Sequence, residues 1–192
     1  MTYTRAMTQP PPPAAEPSFD LDELAELCGR WRTAGQSVVH CHGCFDLLHV
    51  GHVRYLRSAR ALGDRLVVTV TPDALVGKGP GRPVFTQQHR AELLAALACV
   101  DAVAINRWPT AEPTLALLRP AVYAKGAEYT RDAQDSGSPL GRERAAVQAV
   151  GGRLALVPGT KFSSTDFLHR LAPAPPPAER NPPAGDPGTP PR

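Results

Sequence analysis

Apolar positions in the middle of the chain follow two alternating rhythms. Short β-branched runs read as strands: Ser37-Val38-Val39-His40-Cys41-His42, Leu66-Val67-Val68-Thr69-Val70, Ala102-Val103-Ala104-Ile105, Ala121-Val122-Tyr123-Ala124 and Leu154-Ala155-Leu156-Val157. Between them the spacing changes to that of amphipathic helices. An opening helix over residues 20–31 puts Leu21, Leu24, Leu27 and Trp31 on one face. Residues 53–62 carry apolar side chains at 53, 56, 59 and 62, and Gly63 closes that helix. Thr86 is placed to cap a helix running to about Ala98, and Thr110 one running to about Leu118. Ser138, with Pro139 at the first helical position, opens a last helix that Gly151-Gly152 closes. Strands alternating with helices predict parallel strands joined by crossover helices, hence a doubly wound, Rossmann-like α/β fold with a five-stranded parallel sheet. Such sheets bind ligands beyond the carboxyl ends of their strands, so chemistry is sought there.

Composition sets the limits of this domain. Five of the 22 prolines fall in residues 10–17 and nine in residues 173–192. Proline removes backbone donors, and these ends offer little apolar surface to bury. Disordered tails are therefore expected at 1–17 and 173–192, around a single domain at 18–172. No apolar run approaches the ~20 residues that a membrane span requires, and the first residues have no apolar stretch of the kind a secretory signal carries. Four cysteines are too few for a disulfide scaffold and point to a reducing cytoplasm. The net charge of +3 is too mild to indicate nucleic-acid binding. Within that charge, only Lys78, Lys125 and Lys161 are lysines in a chain that otherwise uses arginine.

The first strand end carries the densest chemistry, His42-Gly43-Cys44-Phe45-Asp46-Leu47-Leu48-His49-Val50-Gly51-His52. Gly43 lets the backbone pass close to a bulky anion. His49 and His52 bracket Gly51 at the start of a helix, where free N–H groups and the helix dipole favour phosphate. Two imidazoles so placed can donate to one phosphoryl group during in-line displacement at phosphorus. A second site of the same kind is Ser163-Ser164-Thr165, which follows a strand and opens a helix, although a plain N-cap needs only one of those hydroxyls. Cys41 and Cys44 could be read as a metal or redox pair, but strand alternation sends the two thiols to opposite faces and no second pair follows at zinc spacing.

The segment from Gly43 to His52 resembles the HxGH motif of the nucleotidyltransferase superfamily, in its cytidylyltransferase-like branch. The likeness continues through Lys78-Gly79-Pro80-Gly81-Arg82-Pro83, Gln87-Gln88-His89-Arg90, Val100-Asp101-Ala102-Val103, Tyr123-Ala124-Lys125-Gly126-Ala127-Glu128-Tyr129, Gly151-Gly152 and Phe162-Ser163-Ser164-Thr165-Asp166. This order is most similar to the adenylyltransferase domain of bacterial ADP-heptose synthases, then to glycerol-3-phosphate cytidylyltransferases. The resemblance implies that His49, His52 and Lys78 are catalytic, with Lys78 on a glycine-rich loop that closes over the phosphates. It implies that Gly43, Cys44, Phe45, Gly51, Arg90, Lys125, Gly126, Lys161, Ser163, Ser164 and Thr165 bind the nucleotide, Arg90 by supporting the site.

The implied reaction transfers a nucleotidyl group from an NTP, preferably ATP, to a sugar phosphate, preferably D-glycero-D-manno-heptose 1-phosphate, and releases pyrophosphate. Mg²⁺ is the implied cofactor, held mainly by the phosphates rather than by protein side chains. A homodimer and a separate upstream sugar kinase are implied partners. The longer segment at 130–141 leaves the acceptor open. The alternatives are a CTP-dependent enzyme acting on glycerol 3-phosphate or another small phosphate, and a nucleotide-binding regulator without turnover.

Overall fold

The computed structural model describes residues 18–158. The two proline-rich ends lie outside the described residues, as do Lys161, Ser163, Ser164 and Thr165. Six strands form one sheet: β1 (Ser18–Phe19), β2 (Val38–Gly43), β3 (Arg65–Val70), β4 (Ala102–Ile105), β5 (Val122–Gly126) and β6 (Arg153–Val157). Their order is β1-β4-β3-β2-β5-β6 and every pairing is parallel. All five expected strands are present within about two residues of their predicted ends. The count of five is corrected to six, because Ser18–Phe19 pairs with β4 at the sheet edge. A two-residue strand has no period for a pattern to reveal.

The helices are α1 (Leu21–Thr33), α2 (Val50–Arg60), α3 (Gln87–Ala95), α4 (Glu112–Leu118), α5 (Thr130–Gln134) and α6 (Pro139–Ala149). Asp20 caps α1 in a reciprocal capping box with Glu23. That helix buries Leu21, Leu24 and Cys28, while Leu27 and Trp31 flank the contact half-buried. Thr86 caps α3 and Ser138 caps α6, as expected. Two starts differ. α2 begins at Val50 because His49 itself closes its end, and α4 begins at Glu112 with Ala111 at the cap. Thr110 does not cap α4; its carbonyl instead accepts from Asn106.

Both faces of the sheet are covered, which is why β2 is buried without a break from Val38 to Cys41 and β3 from Leu66 to Val70. Leu56 and Ala59 of α2 and Ala91 and Leu94 of α3 pack on one face against Val39, Cys41, Leu66 and Val68. On the other face lie α1, with Leu24 against Val38 and Val67, and α4 and α6, with Leu115 and Val147 beside Tyr123. From β2 the chain steps outward to β3 and β4, then returns to the opposite side of β2 for β5 and β6. The strand order therefore reverses between β2 and β5, and a crevice opens at their carboxyl ends.

Candidate active site

A pocket of about 240 Å³ fills that crevice. One wall is the Gly43-Cys44-Phe45 turn together with His49, Gly51, His52 and Tyr55 of α2, and the other is Lys125, Gly126, Glu128 and Tyr129. Lys78 reaches it from its loop, and His42 lies on its floor. The structure thus brings together ten of the fourteen residues expected from sequence: His49, His52, Lys78, Gly43, Cys44, Phe45, Gly51, Lys125, Gly126 and, one layer beneath, Arg90. The other four lie outside the described residues.

His49 and His52 hold each other through the backbone. The Nδ1 of His49 accepts from the Gly51 and His52 amides at 3.1 and 3.4 Å, and the Nδ1 of His52 accepts from the His49 amide at 3.4 Å. The rings stack with centroids 3.9 Å apart. An imidazole nitrogen that accepts carries no proton, so each ring is the Nε2–H tautomer and offers a donor. Burial lowers the pKa of His49, an effect its backbone hydrogen bond opposes and the Lys78 charge reinforces. Burial brings His52 down to about 4, with His49 and Lys78 acting in the same direction. Both are neutral donors at physiological pH. Phe45 fixes the second ring edge-on, 5.5 Å from the His52 centroid.

The turn that carries this wall is set by Asp46. Phe45 and Leu47, on either side of it, have φ of 50° and 52°, in the left-handed region that non-glycine residues seldom adopt. Asp46 is 1 % exposed and accepts from the Val84 amide at 2.9 Å, the Phe85 amide at 3.1 Å and Arg82 Nε at 2.7 Å. Burial alone would raise its pKa; the two amides and the guanidinium reverse the sign and hold it below the ordinary carboxylate value. These bonds tie the end of the Lys78 loop to the histidine-bearing turn. A Cβ at Gly43 would come within 3.2 Å of the Phe45 ring and press it out of place.

Arg90 stands beneath the pocket and not in it. It is 1 % exposed, and its guanidinium donates to the carbonyls of Phe85 at 3.0 Å, Cys44 at 2.5 Å and Thr71 at 2.8 Å and to Asp73 at 2.6 Å. One planar fork therefore joins the turn after β2 to both ends of the connection between β3 and α3. Expected as a nucleotide-binding residue, Arg90 has no face turned to a ligand and acts through Cys44 and Phe85.

On the opposite wall, Lys125 Nζ lies 3.3 Å from Glu143, 3.4 Å from the His42 carbonyl and 5.2 Å from the centre of the Tyr123 ring. Glu143 also accepts from the Tyr123 hydroxyl at 2.9 Å. The Glu128 carboxylate folds over Gly126 where a Cβ would otherwise stand. His42, Tyr55, Glu128 and Tyr129 were not singled out by sequence reasoning. The available signal was position: each lies at, or just past, a strand end or on the helix that follows one.

Among the described residues no three His, Cys, Asp or Glu side chains form a metal-binding group, and Glu128 supplies the one carboxylate that lines the pocket. This donor set suits a cation that arrives on a polyphosphate, with Lys78, Lys125 and the imidazole N–H groups facing the phosphate charge. Cys41 is buried in the core and Cys44 sits at the strand end; both are free thiols. No helix among the described residues is long and apolar enough to cross a membrane.

The Cytidylyltransferase-like family matches residues 40–170. Two proteins named Bifunctional protein HldE are similar: that of Methylobacillus flagellatus is 42 % identical over 82 % of this chain, and that of Streptomyces coelicolor 46 % over 80 %. This chain covers 32 % of each, about a third of their length. Of solved structures, the lipopolysaccharide core biosynthesis protein of Thermoplasma volcanium is 26 % identical with a TM-score of 0.52, over 67 % of this chain and all of that one. Pantoate-beta-alanine ligase of Francisella tularensis shares the fold, at 13 % identity and a TM-score of 0.52 over 80 % of this chain and 76 % of that one. The chain belongs to the cytidylyltransferase-like family.

Proposed function

We propose that this chain transfers a nucleotidyl group from an NTP, ATP for preference, to D-glycero-D-manno-heptose 1-phosphate, and releases pyrophosphate. The observation that carries the transfer is the pair of neutral imidazoles at the α2 N-terminus, with Lys125 across the crevice and Lys78 reaching in from its loop. The choice of acceptor rests on the motif resemblance to ADP-heptose synthases. It agrees with a relative whose name refers to lipopolysaccharide core biosynthesis.

An oxygen of the acceptor phosphate attacks the α-phosphorus in line. The new P–O bond forms as the bond from that phosphorus to the β-bridging oxygen breaks, and pyrophosphate leaves with the electron pair. No covalent enzyme intermediate is involved. His49 and His52 donate Nε2–H bonds to oxygens whose charge grows in the transition state, in a partly dry site where such donors count most. Lys78 approaches the leaving phosphates from its loop, and Lys125 holds charge on the opposite wall. Ser163, Ser164, Thr165 and Lys161 are proposed to hold the rest of the triphosphate. Mg²⁺ carried on the triphosphate supplies neutralisation of the leaving group's charge.

A homodimer, a cytoplasmic location and a separate sugar kinase that makes the acceptor complete the proposal. Pyrophosphate release, measured with Mg²⁺ for ATP and CTP against a panel of sugar 1-phosphates and polyol phosphates, tests it. Release with ATP and the heptose phosphate is expected. Release with CTP and glycerol 3-phosphate would replace both substrates, and nucleotide binding with no release from any pair would leave a regulator.

A further inference from the structure

Beneath the pocket floor lies a chain of three side chains that the phosphoryl-transfer machinery does not use. The Thr69 hydroxyl sits 2.8 Å from His40 Nε2 and 2.9 Å from His42 Nδ1. His40 is fully buried, with its ring 5.4 Å from that of Tyr123, and its Nδ1 has no hydrogen-bond partner. His42, two residues on, lines the pocket.

One hydroxyl between two imidazoles can accept from both or donate to either one; accepting from both would strand its own buried O–H with no acceptor, so two orders remain. If His42 Nδ1 carried a proton, Thr69 would donate to His40 Nε2, and the His40 proton would sit on Nδ1 as a buried N–H with no acceptor. Orphaned buried N–H groups are rarer in proteins than bare acceptors. In the opposite order His40 Nε2–H donates to Thr69, Thr69 donates to His42 Nδ1, and only a bare nitrogen is left unpaired. That order puts the His42 proton on Nε2, the nitrogen free of Thr69.

The placement of His42 suggests what it meets. His49 and His52 stand on the α2 side of the sheet. Strand alternation puts His42 with Tyr123 and Lys125 on the α6 side, and Lys125 reaches the His42 carbonyl. If α2 holds the reacting nucleotide phosphates, the group that approaches them comes from the wall of His42 and Lys125.

We propose that His42 is a specificity residue: it donates Nε2–H to a phosphate oxygen of the acceptor, and Thr69 and His40 are positioning residues that fix its tautomer. This rests on the nucleotidyltransferase reading given above. The imidazole stays neutral, because burial and then the Lys125 charge bring it down to about 3, with only a bond to the Thr69 backbone opposing them. It therefore recognises a phosphate as a hydrogen-bond donor beside the cationic Lys125.

Long-range ¹⁵N–¹H spectra of the histidine rings test the relay, and kinetics test the role. His42 is expected as the Nε2–H tautomer, with its Nε2 resonance shifting on titration with inorganic phosphate. Thr69→Val should give a mixture of tautomers, and Thr69→Ser should restore the single one. In His42→Phe, which keeps a ring and loses the donor, KM for the acceptor should rise about tenfold, the worth of one hydrogen bond. Turnover and the nucleotide KM should stay within about twofold, and a thermal melt checks that the variant folds. An Nδ1–H tautomer, a phosphate-insensitive Nε2, or a loss that falls on the nucleotide KM would overturn the assignment. If the wild-type chain releases no pyrophosphate with any pair, the functional reading fails, while the tautomer and the phosphate titration still decide His42.

Discussion

Replacing Arg90 with methionine tests whether one buried side chain organises the site from below. The substitution keeps most of the apolar stem and removes the guanidinium. It leaves the Cys44, Thr71 and Phe85 carbonyls without their donor. Asp73 is 38 % exposed at its side chain and can rehydrate, so it adds little. Each buried acceptor left unmade costs about 1–3 kcal/mol, and water entering the gap pulls the sum toward the low end. A loss of about 3–5 kcal/mol is expected, the range found when one partner of a buried charged group is removed. For a domain of this size that lowers Tm by roughly 6–20 °C. The effect on chemistry is separate. The turn bearing Cys44 and Phe45 and the end of the Lys78 loop are both held by this fork, and misplacement by about 1 Å costs on the order of 10²-fold in rate. Arg90→Lys retains the charge but not the planar fork and should fall between the two. Reversible urea unfolding followed by circular dichroism, with pyrophosphate release on the same samples, makes the measurement. An Arg90→Met protein within about 1 kcal/mol of the parent, with unchanged turnover, would refute the reasoning.

Three further outcomes are expected. His49→Asn keeps an N-cap acceptor for α2 and loses the Nε2–H donor, so the melt should barely move while turnover falls ~10²–10³-fold; equal turnover would remove His49 from the chemistry. Asp46→Asn leaves Arg82, 6 % exposed at its side chain, without its counter-charge and loosens the anchor of the Lys78 loop. Limited trypsin digestion should then cut after Lys78 about tenfold faster, and an unchanged rate would show that the loop is held elsewhere. The fold keeps His42 and His52 neutral down to about 3 and 4, against an ordinary value of 6.5. Between pH 6.5 and 4 the unfolded chain therefore binds more protons than the folded one. Stability should fall as pH is lowered through that window, each imidazole contributing up to about 1.4 kcal/mol per pH unit. Urea midpoints at pH 7, 6 and 5 check this, and a flat profile would contradict it.

The sequence alone determined the strand-and-helix rhythm, because fully covered parallel strands need continuous apolar runs and their helices need an apolar stripe. It also located the pocket wall at Gly43–His52, since a glycine after a strand and paired histidines at a helix start carry their chemistry locally. Thr86 and Ser138 were legible as caps for the same reason: a cap bonds to the next turn of its own chain. Thr110 failed as a cap because α4 starts one residue later than the pattern suggests, with Ala111 at the cap position. Ser18–Phe19 was invisible because its pairing with β4 is the whole of its identity as a strand. The tertiary structure decided which charges face solvent and which face inward. The resemblance made Arg90 a support for the site, but which carbonyls it holds was fixed only when the fold brought Cys44, Thr71 and Phe85 around it. Asp46 joins Arg82, and Lys125 joins Glu143, across the fold, while His40, Thr69 and His42 become a relay only because β2 and β3 lie side by side in register. Local pattern fixes groups that bond within a turn or two of the chain. The orientation of a buried polar group is set by partners that the sheet brings in from 17 to 46 residues away.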